Sequence, residues 1–316
     1  MLKLIFLLYF FGVSTAEIAV QPEECPGLYC GRKPIGPAHY SDCGACPRGH
    51  YVENSICGEC DASPTLYDWL YLGFMAQVSL LLHFFCIEIK DGKKSSQKVL
   101  HLSALTESVT AALLTLLLSE PRGSLSLTSC HVNRLEDWYS MLYNPSPNYT
   151  YTLHCTQEIV YPLYTIVMIY YAFSLLFMLC LRPIISYKFV ECRGKWSIYA
   201  ALYFLPILIV IQALFAGLLY YSFPYITIIV SLITSAIYMA SSPYTTSLAM
   251  IREKLLNVRG VVVLLGHLML HAYGIIAITE LKEPEHGPLL LLVVCPMLFY
   301  IFTNKFTNPD NLDRVE

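Results

Sequence analysis

The stretch LYDWLYLGFMAQVSLLLHFFCIE, residues 66–88, decides the fold. Apart from Asp68 and Glu88 near its ends, only Gln77, Ser79 and His83 interrupt an apolar and aromatic run. Coiled as an α-helix at about 1.5 Å per residue, it is about 35 Å long, enough to cross a hydrocarbon layer of about 30 Å. Six further runs read the same way, at about 99–118, 159–181, 198–221, 225–241, 260–279 and 288–303. A helix satisfies its own backbone hydrogen bonds where no water is available, so each run is expected to span as a helix. The expected fold class is an all-α membrane protein, with seven transmembrane helices over residues 66–303 and a small cysteine-rich lumenal module before them.

Composition agrees. The chain is 56% hydrophobic and 14% charged, with mean hydropathy +0.53, against about 25% charged residues in a soluble domain. A formal charge of −3 over 316 residues leaves no long basic tract, which disfavours nucleic acid as a partner. Residues 1–16 read as a signal peptide: Lys3, an apolar run from Leu4 to Val13, then Ser14-Thr15-Ala16, with cleavage expected after Ala16. The run is too short to span, and cleavage places residues 17–65 in the lumen.

That head carries Cys25, Cys30, Cys43, Cys46, Cys57 and Cys60 among Gly and Pro. So short a segment needs cross-links or metal to fold. Cys43-x2-Cys46 and Cys57-x2-Cys60 have the spacing of a four-thiolate zinc site, but an oxidising lumen favours three disulfides among the six, with 15 pairings open. A redox Cys-x2-Cys is the third reading, disfavoured because no βαβ pattern surrounds it. Further along, Cys130 and Cys155 bracket the sequon Asn148-Tyr149-Thr150 and are expected to pair with each other, stapling the loop 119–158; Asn148 is a glycosylation candidate.

Orientation is tested by Lys and Arg, which concentrate in cytoplasmic loops. A lumenal head and seven crossings put Lys90, Lys93, Lys94, Lys98, Arg182, Lys188, Arg193, Lys195, Arg252, Lys254, Arg259, Lys305 and Arg314 on the cytoplasmic side, thirteen in all, against Arg32, Lys33, Arg48, Arg122, Arg134 and Lys282, six, on the other. The expected topology has the N-terminus lumenal and residues 304–316 as a cytoplasmic tail.

Ionisable groups within spans each call for a role. They are Glu107, midway along the second run; His83 and Glu88; His101; and His267 with His271, one helical turn apart on one face. His83, His267, His271 and Glu107 together would suit a membrane-embedded, metal-dependent hydrolase, with His267 and His271 as metal ligands. The plainer reading is that these histidines are hydrogen-bonded between helices. The 24 tyrosines read as helix contacts and interfacial rings, while Pro162, Pro206 and Pro296 are expected to kink helices and free carbonyls that need partners. Neither a receptor Asp-Arg-Tyr after the third run nor the internal repeat of a transporter is present.

The linear motifs are more specific: Cys25-Pro-Gly-Leu-Tyr-Cys30-Gly, Cys43-Gly-Ala-Cys46-Pro-Arg-Gly, residues 66–75, Gly92-Lys-Lys-Ser-Ser96, Asp137-Trp-Tyr-Ser-Met-Leu-Tyr-Asn-Pro-Ser-Pro147, Tyr161-Pro-Leu-Tyr-Thr-Ile166, Ile198-Tyr-Ala-Ala-Leu-Tyr-Phe204 and Leu270-His-Ala-Tyr-Gly-Ile-Ile276. With them, the chain closely resembles the JNK-associated membrane protein family from the head to the last span. The resemblance implies a seven-pass endoplasmic-reticulum protein induced by unfolded-protein stress. Its implied role is a non-enzymatic adaptor without a cofactor, bringing proteasome subunits and membrane ubiquitin ligases together for ER-associated degradation. It also implies a link to c-Jun N-terminal kinase through the cytoplasmic C-terminal part, although residues 304–316 show no basic-plus-hydrophobic docking pattern. Contacts would fall on the cytoplasmic cations Lys90, Lys93, Lys94, Lys98, Arg182, Lys188, Arg193, Lys195, Arg252, Lys254 and Arg259.

Overall fold

A computed structural model describes residues 24–36, 39–90, 94–130, 132–143, 155, 160, 162–190, 194–240 and 247–307. The signal segment 1–16, Asn148, Lys93, Arg193, residues 308–316 and the side chains of Lys90, Lys94 and Lys305 lie outside that description. The chain divides into two compact units, residues 1–59 with 140–157, and residues 60–139 with 158–316.

The first unit is built from short antiparallel pairs and disulfides. Strand β1 (Cys30–Gly31) pairs with β4 (Gly44–Ala45), β2 (Pro34–Gly36) with β3 (His39–Tyr40), and β5 (His50–Glu53) with β6 (Ile56–Glu59). The β5–β6 hairpin turns at Asn54 and Ser55, both at positive φ. Cys25–Cys43 and Cys46–Cys57 close disulfides inside the head, and Cys30 bonds to Cys155. In the second unit Cys60 bonds to Cys130. The expected Cys130–Cys155 bond is therefore not formed, and the six head cysteines do not pair only among themselves. The four thiols of the zinc-like spacing are all spent in disulfides. The antiparallel bridge from Ala62 to Ser129 brings the two stretches carrying Cys60 and Cys130 side by side.

The second unit is helical: α1 (Leu66–Lys90), α2 (Lys94–Leu118), α3 (Leu163–Phe189), α4 (Lys195–Ala240), α5 (Ser247–Leu256), α6 (Val258–Thr279) and α7 (Cys295–Thr307). Among the described residues there are two 3-10 segments: Pro284–Val294, in this unit, and Leu135–Tyr143, whose first five residues belong to it. Helix α1 starts at a reciprocal cap: the Asp68 amide donates to Thr65 Oγ1 (3.2 Å), and Asp68 Oδ2 accepts from the Thr65 amide (2.8 Å).

Among the described residues, six segments are long and apolar enough to cross a membrane, and the longest, α4, has 46 residues. At about 1.5 Å per residue an unbroken helix of that length would be about 69 Å long, twice what a bilayer needs. It is broken at Phe215 (φ −119°, ψ 15°), so each part is long enough to span, and the count of seven crossings stands although the runs 198–221 and 225–241 are one element. The first part packs on α1 and α3; the second runs antiparallel to α6, with Tyr238 near Gly260 and Ser231 near His271. Gly217 and Gly274 permit these approaches: a Cβ on Gly217 would lie 2.6 Å from Trp138 Cβ, and one on Gly274 2.5 Å from Ile228 Cγ1. Pro162 sits just before α3, where the missing N–H costs nothing, and Pro296 lies at the junction of the Pro284–Val294 3-10 segment with α7; the prolines within long helices are Pro183, Pro206 and Pro224.

The core gathers Tyr71, Met75, Ala111, Tyr171, Met178, Leu205 and Phe223, while Phe85, Leu102, Ile184, Tyr203, Met269 and Phe302 lie exposed. A continuous apolar exterior of this kind fits acyl chains as its solvent.

Candidate functional site

Three ionisable side chains on three helices meet in the bundle: His83 of α1, Glu107 of α2 and Arg182 of α3, each no more than 3% exposed. Arg182 Nε donates to Glu107 Oε1 (3.2 Å), and Nη2 donates to Oε2, so the guanidinium grips the carboxylate with two donors. Nη1 donates to His83 Nδ1 (3.1 Å) and to the Ser197 carbonyl of α4 (3.4 Å). A guanidinium has no acceptor, so His83 must present its lone pair at Nδ1. Ser103 Oγ donates to Glu107 Oε1 (2.6 Å), and the His83 ring meets Phe204 edge to face at 4.8 Å.

A lone charge here would cost several kcal/mol of lost hydration; pairing with nearly complete hydrogen bonding offsets it. In this arrangement both Glu107 oxygens accept hydrogen bonds, and four helices are tied at one level. Arg182 was expected in a cytoplasmic loop. Instead α3 continues through Pro183 to Phe189, carrying Arg182 inside. The signal was available: Glu107 in mid-span requires a cation, and Arg182 is followed by the apolar pair Ile184-Ile185.

The network also fixes the end of the bundle. Besides the Arg182–Ser197 bond, the Gly194 amide donates to Ser186 Oγ (3.2 Å), which holds the start of α4 against the end of α3. Below that corner Ile87, Leu100, Ala104 and Val190 form a small core, which brings α1, α2 and α3 together there. Three exposed lysines belong to this same end: Lys98, Lys188 and Lys195. Arg252 and Arg259, on α5 and α6, are also exposed, whereas Lys254 is buried against the Tyr238 ring (4.1 Å) and is withdrawn from the expected contact surface.

The other hydrolase candidates do not join. His271 Nδ1 bonds Ser231 Oγ (2.7 Å) and His267 Nδ1 bonds Thr234 Oγ1 (3.2 Å), both on α4, beside a cavity of only about 10 Å³. Among the described residues no three His, Cys, Asp or Glu side chains converge as metal ligands, and Glu107 and His83 are engaged by Arg182. The hydrolase reading is unsupported.

Tyrosine hydroxyls brace the remaining helices. Tyr170 Oη bonds Ser79 Oγ (3.1 Å) and Ser108 Oγ (2.6 Å), and Tyr171 Oη donates to the Met75 carbonyl (3.0 Å). Tyr71 Oη donates to Gln212 Oε1 (3.0 Å). Pro224 has no N–H for the Tyr220 carbonyl four residues earlier; that carbonyl accepts from Tyr67 Oη instead (2.7 Å). Near the break at Phe215, the Ala213 and Leu214 carbonyls accept from Tyr164 (3.2 Å) and Tyr139 (3.4 Å).

A family model described as JNK1/MAPK8-associated membrane protein matches residues 25–309. The chain belongs to the JNK1/MAPK8-associated membrane protein family. Mouse and human members of that description are each 50% identical to it, over 93% of this chain and 97% of theirs. A homolog in Caenorhabditis elegans is 34% identical over 96% of this chain and 99% of its own. No solved structure matches. Family membership and the apolar helices together make the chain a membrane protein.

Proposed function

We propose that this chain is a non-enzymatic adaptor of the endoplasmic-reticulum membrane, whose cytoplasmic face collects proteasome subunits and membrane ubiquitin ligases during unfolded-protein stress. The observation that carries the reading is the exposed lysine triad, Lys98, Lys188 and Lys195, held at one end of the bundle by the Arg182 network. The excess of Lys and Arg in cytoplasmic loops supports putting this end in the cytoplasm. Rigid support under exposed charge suits docking, because little order has to be gained on binding. The internal charges are spent on one another, which favours an adaptor over a catalyst. The relatives' name supports adding a JNK1-class kinase to the partners.

The test is quantitative proteomics on the tagged full-length protein from stressed cells, compared with Lys98→Ala/Lys188→Ala/Lys195→Ala. Exposed changes of this kind leave folding intact, which thermal unfolding checks. A severalfold loss of proteasome and ligase subunits in the variant is expected. Equal recovery from both forms, or none from either, would overturn the reading.

A further inference from the structure

The turn between α5 and α6 carries a second, separate feature. Tyr238, Lys254, Asn257, Arg259, Gly260 and Val263 line a cavity of about 320 Å³, the volume of about ten liquid waters. Two of its six lining residues are cations. Lys254, only 9% exposed, places Nζ 4.1 Å from the centroid of the Tyr238 ring, and among the described residues it has neither a carboxylate nor a hydrogen-bond acceptor. A buried ammonium has three donors to satisfy, and an aromatic face satisfies none of them fully.

The same cavity opens on the N-terminus of the 22-residue helix α6. Asn257 caps it, its Oδ1 accepting from the Arg259 amide (3.1 Å), and Gly260, where a Cβ would run into the Lys254 carbonyl oxygen, lets the end of α5 pack closely against this first turn. Helix N-terminus, unpaired ammonium and guanidinium together select an anion with several oxygens, which is a phosphate.

The surroundings say where that phosphate comes from. Leu255, Leu256, Val258 and Val262 flank the turn and are 54%, 74%, 79% and 64% exposed. Four large apolar side chains beside two cations are costly in water and stable at the boundary between acyl chains and headgroups.

We propose that this pocket binds the headgroup phosphate of an anionic phospholipid, with Lys254, Arg259 and the start of α6 on the phosphate and Leu255, Leu256 and Val258 against the acyl chains. This assigns Lys254 and Arg259 to lipid and leaves the lysine triad free for protein partners, so the two readings fail separately.

The experiment is native mass spectrometry of the full-length protein released from phosphatidylcholine nanodiscs doped with phosphatidylinositol, compared with Lys254→Met/Arg259→Gln. One phosphatidylinositol per chain is expected on the native protein. Its affinity should fall by about fivefold per cation removed, the scale of one basic side chain at an anionic surface. Arg259→Gln alone, an exposed change that leaves the buried site packed, should show about half the effect on a logarithmic scale, and Lys282→Gln should show none. Equal retention by all forms overturns the proposal. So does competition by soluble inositol phosphate as effective as that of the lipid, which would make the anion a free solute.

Discussion

Glu107 is fully enclosed, and everything around it follows from the cost of a carboxylate in hydrocarbon. Removing one member of a buried pair strands the other, which typically costs about 3–5 kcal/mol, while replacing both by apolar groups of similar size is often close to neutral. Glu107→Leu and Arg182→Met are each therefore expected to lower the unfolding temperature in detergent sharply. Glu107→Leu/Arg182→Met should recover most of the loss, although His83 and the Ser197 carbonyl then lose their donor and keep the recovery incomplete. A double variant as unstable as the sum of the singles would mean that the two groups act independently. At this scale the sequence was half legible. Glu107 was conspicuous inside an apolar run, but hydropathy ended the third run at residue 181 and left Arg182 among the loop cations. A window average cannot distinguish a charge at a helix end from one that the next two turns carry inward.

Among the elements, α4 shows what a proline requires of its neighbours. Pro224 leaves the Tyr220 carbonyl without an intrahelical donor, and Tyr67 of α1 supplies one at 2.7 Å; in return, Tyr220 Oη donates to Asp68 Oδ1 (2.6 Å), the carboxylate that caps α1. Tyr67→Phe is expected to destabilise the protein by about 1 kcal/mol, the usual worth of one such bond. In a Pro224→Ala background the amide restored at 224 competes for the same carbonyl, so the effect of Tyr67→Phe should shrink towards zero. An undiminished effect in thermal-unfolding cycles would show that the phenol stabilises through packing alone. The apolar runs made the helices legible, because their length and composition are local properties. The joining of 198–221 and 225–241 into one broken helix was not legible: a turn needs chain-reversing residues, and the Ser222-Phe223-Pro224 junction reads equally as loop or kink. Helix α5 also escaped notice, since its sequence is mixed in polarity and it lies beside the spans.

At the scale of the whole molecule, the cysteines gave a correct class and an incorrect map. An even count behind an apparent signal peptide indicated disulfides, yet eight cysteines admit about 105 pairings, and nearness along the chain favoured Cys130 with Cys155. Local proximity is overridden where tertiary structure brings distant segments together: Cys30 pairs with Cys155 across 125 residues, and Cys60 with Cys130 across 70, the latter beside the Ala62–Ser129 bridge. Closing a loop of the latter length restrains the unfolded chain by about 4 kcal/mol on the chain-entropy account, so the Cys60–Cys130 bond should matter for stability out of proportion to its two residues. Cys130→Ser separates the alternatives. When the folded variant is alkylated without reduction and digested, the observed pairing predicts label on Cys60 and an intact Cys30–Cys155 cross-link. The local pairing predicts label on Cys155, with Cys60 still bonded within the head. Because both outcomes come from the same peptides of one sample, a variant that forms its disulfides poorly would label several of the seven remaining disulfide cysteines and be recognised as such, while label at Cys60 alone among those seven would establish that the bond from Ser129's neighbour runs to the end of the head.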